Sequence, residues 1–265
     1  ASYVSGGKRM TLPLYFASSS KVWSSPEWVY GIEECGYDGW EISADGNYRL
    51  DNPKAFAKIV EIIETTGLGI SVHAPFTDLN IGSLNDPIYR ESIRQMQLCI
   101  TKAADITDVV TIHPGYVSPH GRLVPQKVWN LHKEALREIG ATGIDTGVRV
   151  CLENMPKIPD FLCMEADEHY GMIEGVDGIY ATIDLGHANT TGQVQTYLDR
   201  IETATHMHIH DNHGISDEHL ALGAGTIDWD VAGACISAAY HGICVVEGRN
   251  LDEAVVSRDL FRRCF

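Results

Sequence analysis

Nine histidine and acidic residues that can bind a divalent cation follow the strand-like segments of this sequence. Six of them end a strand-like run, as in ISVHAP, VVTIHPG and ICVVEG, and the other three follow such a run. Imidazoles mixed with carboxylates suit zinc or manganese, whereas an all-oxygen set would suit magnesium or calcium. The pattern predicts an enzyme site for one to three divalent ions, zinc first and manganese second. The nine residues are His73, His113, Glu153, Asp184, His187, His208, Asp217, His219 and Glu247.

Short β-branched runs alternate with longer segments of helical periodicity, and no Pro/Ser-rich linker interrupts them. Eight βα units across about 250 residues predict a single α/β domain with the (β/α)8 TIM barrel fold. A doubly wound open sheet is the alternative. The predicted strands are Leu12–Ala17, Gly39–Ile42, Gly69–His73, Val109–His113, Val148–Glu153, Ile179–Asp184, Thr205–His210 and Ile243–Glu247.

Prolines mark the expected starts of the first three helices. Pro26, Pro53 and Pro87 each follow a polar residue that can cap a helix. Active sites of such barrels lie at the C-terminal ends of the strands and on the loops that follow. Six of the nine residues would therefore end strands 3 to 8, and three would come from loops 6 and 7. The remaining helices are expected over 125–141, 163–174, 193–203, 228–240 and 252–264.

The composition favours one large core and opposes nucleic-acid binding. The chain has 265 residues, 44% of them hydrophobic, and a formal net charge of −16 from 36 acidic and 20 basic residues. Its lysines and arginines are scattered, whereas a phosphate backbone is bound by a basic stripe. The seven cysteines show no CxxC spacing and are expected to be reduced core thiols.

The sequence predicts a cytoplasmic protein. No run approaches the roughly 18 apolar residues of a membrane span. The N-terminus also lacks the basic segment and following apolar stretch that are typical of a secretion signal. Residues 1–9, ahead of Met10, are expected to form an irregular leader. Residues 10–265 are expected to form the barrel domain.

Several motifs resemble those of the xylose-isomerase-like barrel superfamily, which includes endonuclease IV and many sugar isomerases and epimerases. The resemblance runs from about strand 2 to strand 8. DxHxxLGxG at 217–225 and DxxH at 184–187 are its most specific motifs, and HPG at 113–115 and EN at 153–154 are weaker. Endonuclease IV holds three zinc ions with nine protein ligands. Each of those ligand positions is matched here by one of the nine residues.

The resemblance implies two different chemistries for these ligands. In the isomerases and epimerases, one ion is held by the matches to Glu153, Asp184, His208 and Glu247. Two carboxylates such as Glu153 and Glu247, the predicted catalytic residues, then move the proton at a sugar carbon. In an endonuclease-IV-like phosphodiesterase, the complete set would hold three zinc ions and cut DNA at abasic sites.

Departures from the nuclease pattern favour a small substrate. Glu218 stands where the nuclease carries an arginine that faces DNA, and GYDGWEIS at 36–43 resembles the opening of the sugar isomerase branch. We therefore expect an isomerase or epimerase that acts on a small polyhydroxylated or sugar-phosphate substrate. The alternative is a phosphodiesterase that acts at abasic DNA sites, because all nine ligand positions of the nuclease are filled. Only this alternative requires a nucleic-acid partner. A metal-binding barrel without turnover is the third hypothesis.

Residues beside the metal ligands are candidates for substrate contacts. Glu41 can bond a substrate hydroxyl or support its strand, and Tyr116 can line the site. Arg249 can hold a substrate phosphate, although an ion pair with a nearby acid is the expected use. His210 is expected to point into the helix layer, and His206 is expected to be structural or to lie at the surface.

Overall fold

A closed barrel of eight parallel strands forms the centre of the protein. The computed structural model describes residues 12–265, so the predicted leader lies outside the described residues. Neighbouring strands pair in sequence order, and β1 closes on β8 with Leu14 opposite Cys244. The (β/α)8 prediction is confirmed. The strands are β1 (Leu14–Ala17), β2 (Gly39–Ser43), β3 (Gly69–His73), β4 (Val109–Ile112), β5 (Arg149–Glu153), β6 (Ile179–Asp184), β7 (Ala204–Ile209) and β8 (Cys244–Glu247).

Helices connect the strands and cover the barrel. Asn52 caps α2 by accepting hydrogen bonds from the N–H groups of Lys54 and Ala55 at 3.0 and 3.2 Å. Gly147, with a left-handed φ of 74°, ends α4 beyond the predicted end at 141. The α-helices of the described residues are α1 (Tyr30–Glu34), α2 (Pro53–Thr65), α3 (Asp86–Ala103), α4 (Pro125–Thr146), α5 (Ala166–Ile173), α6 (Leu185–Thr190), α7 (Val194–Leu198), α8 (Trp229–Ala239) and α9 (Leu251–Cys264).

Some helices differ from the prediction. The first begins as a 3-10 helix over Pro26–Val29, and the helix predicted over 193–203 is divided into α7 and a 3-10 helix over Ile201–Thr203. The short helix α6 was not predicted. It starts at the end of β6, where the Asp184 carboxylate accepts a hydrogen bond from the His187 N–H at 2.7 Å. Over residues 12–265, no helix combines the length and apolarity needed to cross a membrane.

The side chains of strand β2 alternate between the helix layer and the barrel interior. Trp40 and Ile42 face the helix layer and are 1% and 0% exposed. Trp40 packs edge-on against Trp28 and Tyr48, with ring centroids 6.4 and 5.9 Å apart. Because side chains alternate along a strand, Glu41 between them faces the barrel interior.

The barrel interior contains a buried polar layer. The Ser71 hydroxyl donates to Glu41 Oε2 at 2.8 Å, and His206 Nε2 lies 2.7 Å from the same oxygen. The hydroxyls of Thr111 and Thr182 bond each other at 2.8 Å. Branched apolar side chains dominate this position in most TIM barrels. Here, polar groups support the strand ends from inside the barrel.

Candidate active site and metal clusters

The nine predicted metal ligands meet at the C-terminal end of the barrel. They fall into three clusters, and within each cluster one ligand atom per residue lies within 4.8 Å of the others. Glu153 belongs to two of the clusters. We call them the strand 3–4 cluster (His73, His113, Glu153), the central cluster (Glu153, Asp184, His208, Glu247) and the loop 7 cluster (His187, His210, Asp217, His219).

The central cluster joins three carboxylates and one imidazole from strands β5 to β8. His208 Nδ1 lies 2.7 Å from Glu153 Oε1 and 3.2 Å from Glu247 Oε1. Asp184 Oδ2 is buried and has no hydrogen-bond partner among the described groups. Buried oxygens rarely stay unpaired, so an ion at this point would satisfy it. The donor set fits zinc or manganese.

The strand 3–4 cluster places two imidazoles on one oxygen of Glu153. His73 Nε2 lies 3.3 Å and His113 Nε2 lies 3.1 Å from Glu153 Oε2. His73 Nδ1 donates to the Ala74 carbonyl at 2.9 Å, which leaves Nε2 with its lone pair free. Histidines that bind metals are commonly oriented by such a bond from the other ring nitrogen.

The loop 7 cluster combines α6 with the long loop between β7 and α8. His219 Nε2 and His187 Nε2 lie 3.0 and 3.5 Å from Asp217 Oδ2. His187 Nδ1 donates to the Asn154 carbonyl at 2.7 Å. The same Asn154 exchanges side-chain hydrogen bonds of 2.9 and 2.7 Å with the backbone of Asp184. The EN motif therefore positions groups in two clusters.

The loop itself is held by Asp211. Its carboxylate accepts hydrogen bonds from the Gly223 N–H at 2.9 Å, the Trp229 indole at 2.8 Å and the Ile227 N–H at 3.3 Å. Backbone bonds in both directions also join Asp211 to Leu220. One buried carboxylate thus organises the segment that carries Asp217 and His219.

The prediction that His210 points into the helix layer is wrong. His210 comes two residues after His208, and alternation along a strand puts residues two apart on the same side. Its Nε2 lies 3.3 Å from Asp184 Oδ1 and 3.4 Å from Asp217 Oδ1. His206 faces inward for the same reason and is buried, not at the surface. The spacing of His206, His208 and His210 was the signal that could have placed all three.

The three predicted substrate-binding residues lie outside the cavity lining. Glu41 is fully buried below it, with Oε1 2.9 Å from His208 Nε2 but not aligned for a hydrogen bond. Tyr116 is 39% exposed at the rim. Arg249 donates two hydrogen bonds to Glu253 at 3.0 and 2.6 Å, so the expected ion pair is present.

A cavity of about 230 Å³ opens above the clusters. Six predicted metal ligands contribute to its lining, and much of the remainder is apolar. Among the described lining residues there is no lysine or arginine. This volume suits a ligand smaller than a typical drug molecule. The apolar lining residues are Phe76, Met155, Pro156, Ile158 and Phe161.

The clusters are strongly coupled electrostatically. Burial opposes the charge on His208, but Glu41 and Glu153 raise its pKa well above its usual value. Burial likewise opposes the charge on Glu153, but His208 holds its pKa well below the usual range. The pKa of His219 rises to about 9 because Asp217 outweighs burial. Glu153 is thus ionised, and a bound cation would displace protons from the imidazoles.

Sequence comparisons find both epimerase and nuclease relatives. An uncharacterized protein of Methanocaldococcus jannaschii is 30% identical over 239 residues, covering 87% of this chain and 81% of its own. The fructoselysine 3-epimerase of Escherichia coli O157:H7 is 25% identical over 235 residues, covering 81% and 82%. A protein named probable endonuclease 4 from Mycobacterium ulcerans is 28% identical over 213 residues, covering 75% and 81%.

Structural comparison points to the sugar epimerases. A crystal structure described as a D-tagatose 3-epimerase-like protein superimposes with a TM-score of 0.89 and 28% identity, covering 95% of this chain and 96% of that one. The family model of the xylose isomerase-like TIM barrel matches residues 29–264. The chain therefore belongs to the xylose isomerase-like TIM barrel family.

Proposed function

We propose that this protein is a divalent-metal-dependent epimerase or isomerase of a small neutral sugar, with zinc or manganese held by the central cluster. One observation carries the proposal. Glu153 and Glu247 converge on a single point, since both lie within 3.2 Å of His208 Nδ1. Two carboxylates beside one metal position are what proton transfer at a sugar carbon requires. The epimerase relative and the epimerase-like structure support the same class.

The proposed reaction removes a proton from a carbon next to a carbonyl and returns one to the opposite face. When bound, a divalent ion supplies Lewis-acid polarisation of that carbonyl. Glu153 is ionised and takes the proton from one face. Glu247 donates a proton to the other face, which inverts the carbon. The Glu247 side chain is 16% exposed, so exchange with water can restore the starting protonation.

The cavity favours a neutral sugar over a sugar phosphate. A bound phosphate needs cationic or multiple N–H donors, and the described lining offers neither lysine nor arginine. Phe76 and Ile158 offer apolar surface for the C–H groups of a sugar ring. The formal net charge of −16 adds to the repulsion of anions.

A second function, cleavage of DNA at abasic sites, is supported by the three clusters and by the endonuclease 4 relative. The negative charge at the surface of loop 7 opposes this second function. Glu218, where the nuclease carries an arginine, accepts a hydrogen bond from His213 Nδ1 at 2.9 Å and keeps a negative charge at the rim. DNA phosphates would meet this acid instead of a base.

The test is proton exchange on a panel of neutral sugars. Protein loaded with manganese or zinc is incubated in D₂O with ketohexoses and ketopentoses, and proton NMR follows the hydrogen next to the carbonyl. We expect loss of that signal together with the appearance of an epimer or isomer. The same sample is assayed on a duplex with one abasic site. Strand cleavage without exchange on any sugar would replace the proposal by the second function.

A further inference from the structure

Glu41 is an acidic residue in a part of the barrel interior that is closed to solvent. It lies on β2 and is 0% exposed. Its Oε2 atom accepts a hydrogen bond from the Ser71 hydroxyl at 2.8 Å and lies 2.7 Å from His206 Nε2. A buried carboxylate costs free energy unless its oxygens are paired. Neighbours on β3 and β7 therefore account for one of its two oxygens.

The other oxygen of Glu41 faces a residue of the central cluster. Glu41 Oε1 lies 2.9 Å from His208 Nε2. Both atoms are buried, and neither has a hydrogen-bond partner among the described groups. Their separation is that of an N–H···O hydrogen bond, although the two groups are not aligned for one. A small rotation of the imidazole ring would pair both atoms at once.

The two ring nitrogens of His208 have different surroundings. Nδ1 points toward the central cluster, 2.7 Å from Glu153 Oε1 and 3.2 Å from Glu247 Oε1. A cation at this point is bound by a nitrogen lone pair, so the neutral ring must then carry its proton on Nε2. Nε2 faces Glu41, below the cavity. The Glu41 carboxylate can therefore accept a hydrogen bond from Nε2 while Nδ1 binds the ion.

Neighbouring rings limit how far the His208 ring can move. His206 lies edge-on to it, with centroids 5.3 Å apart and planes at 79°. His73 stacks on it, with centroids 5.9 Å apart and planes at 28°. The ring is thus held between two other imidazoles, and its remaining freedom is a rotation that the partner of Nε2 can set.

We propose that Glu41 is a positioning residue, which accepts a hydrogen bond from His208 Nε2 and thereby presents the Nδ1 lone pair to a divalent ion in the central cluster. Histidines that bind metals commonly donate the other ring N–H to a carboxylate, and loss of that partner costs about 10 to 100-fold in metal affinity. Glu41 does not line the cavity. It therefore acts through His208 and not on the substrate. The inference rests on the proposed metal at the central cluster.

The first experiment measures the metal affinity of Glu41 variants. Manganese is titrated into the metal-free protein, and electron paramagnetic resonance follows the free ion. The binding step that is lost in Glu247→Gln belongs to the central cluster. Glu41→Met offers no oxygen acceptor and should weaken this step by at least about tenfold. Glu41→Gln retains an acceptor oxygen and should weaken it by less than about fivefold. Wild-type affinity in Glu41→Met, or an equal loss in both variants, would overturn the proposal.

A matched variant separates positioning from a purely structural role. Thr111→Val removes the 2.8 Å hydrogen bond between Thr111 and Thr182 in the same buried layer. Glu41→Met and Thr111→Val should both lower the midpoint of urea denaturation, because each leaves a buried polar group without its partner. Only Glu41→Met should lower the manganese affinity of the central cluster. Equal affinity losses in the two variants would refute the positioning role.

Nuclear magnetic resonance on the wild type covers the case in which Glu41→Met does not fold. With zinc bound and the histidine rings labelled with ¹⁵N, His208 should carry its proton on Nε2 and bind the ion through Nδ1. A proton on Nδ1 would overturn the proposal.

The outcomes also separate this inference from the proposed function. If the wild type binds the ion and exchanges sugar protons while Glu41→Met keeps its affinity, only the role of Glu41 is refuted. If the wild type shows no binding step that Glu247→Gln removes, both the metal at the central cluster and the role of Glu41 are refuted.

Discussion

The central cluster and the loop 7 cluster use the same residue types but hold them in different ways. The central cluster takes three carboxylates and one imidazole from the ends of four adjacent strands, where the hydrogen-bonded sheet fixes them. The loop 7 cluster takes three imidazoles and one carboxylate, and two of these lie in a loop that Asp211 organises. The first is rich in oxygen and lies below a cavity, as chemistry on a sugar requires. The second is rich in nitrogen, and three of its residues, His187, Asp217 and His219, line the cavity directly.

The largest expected effect is on the central cluster. Glu153→Gln should lower the rate of sugar proton exchange by about 10² to 10⁴-fold, because it removes the proposed base. Metal binding at the loop 7 cluster should be unchanged, since Glu153 is not one of its residues. NMR exchange rates and metal analysis on the same sample check both statements. Glu64→Gln, at an exposed glutamate, is the matched control, and equal rates for the two variants would refute the assignment.

Asp211→Asn should lower the stability of the protein and weaken metal binding at the loop 7 cluster. It replaces one acceptor oxygen by an N–H group that faces backbone and indole donors, so we expect a loss of about 2 to 3 kcal/mol in the free energy of unfolding. Metal affinity at the loop 7 cluster should fall while metal affinity at the central cluster stays unchanged. Urea denaturation and metal titration measure the two effects. Asp145→Asn, at the surface, should change the stability by less than about 0.5 kcal/mol. Equal loss of both metals would break the distinction between the clusters.

Acid should lower the free energy of unfolding through His132, which supports the HPG loop of the strand 3–4 cluster. Its Nε2 accepts a hydrogen bond from the Gly115 N–H at 3.0 Å, and burial lowers the pKa of His132 to about 3. Because the folded pKa lies below the unfolded value of 6.5, this stabilisation is complete above pH 6.5 and is lost as the pH falls toward 3.

Between pH 7 and pH 5, the wild type should therefore lose about 2 kcal/mol more stability than His132→Gln. Glutamine keeps an acceptor for Gly115 but does not titrate. Urea denaturation of both proteins at the two pH values gives the difference. The prediction fails if the two proteins lose stability equally.

The smallest expected effect concerns Arg249, outside both clusters. Its side chain is 50% exposed and pairs with Glu253 in the first turn of α9. Exposed ion pairs contribute little, so Arg249→Gln should change the KM for a sugar by no more than about twofold. Steady-state kinetics provide the measurement. A KM increase above tenfold would show instead that Arg249 binds substrate and that the site extends beyond the cavity.

The order of elements and the positions of the nine candidate ligands could be predicted from the sequence. Strand-like runs, helix-starting prolines and short spacings such as DxxH are local, so one segment of chain contains all the information. The barrel fold followed because eight alternating units leave few arrangements that bury every strand. His210 was misplaced although its spacing from His208 is equally local.

The partition into clusters was decided by the tertiary structure alone. His206 and Glu41 meet at 2.7 Å although 165 positions separate them, and only closure of the barrel brings β2 and β7 across the same interior. A register shift between Ala181 and Thr182 also sets how β6 and β7 align. Which imidazole shares a cation with which carboxylate depends on these distances. The sequence determined which groups are available, and the closed sheet decided which of them can act together.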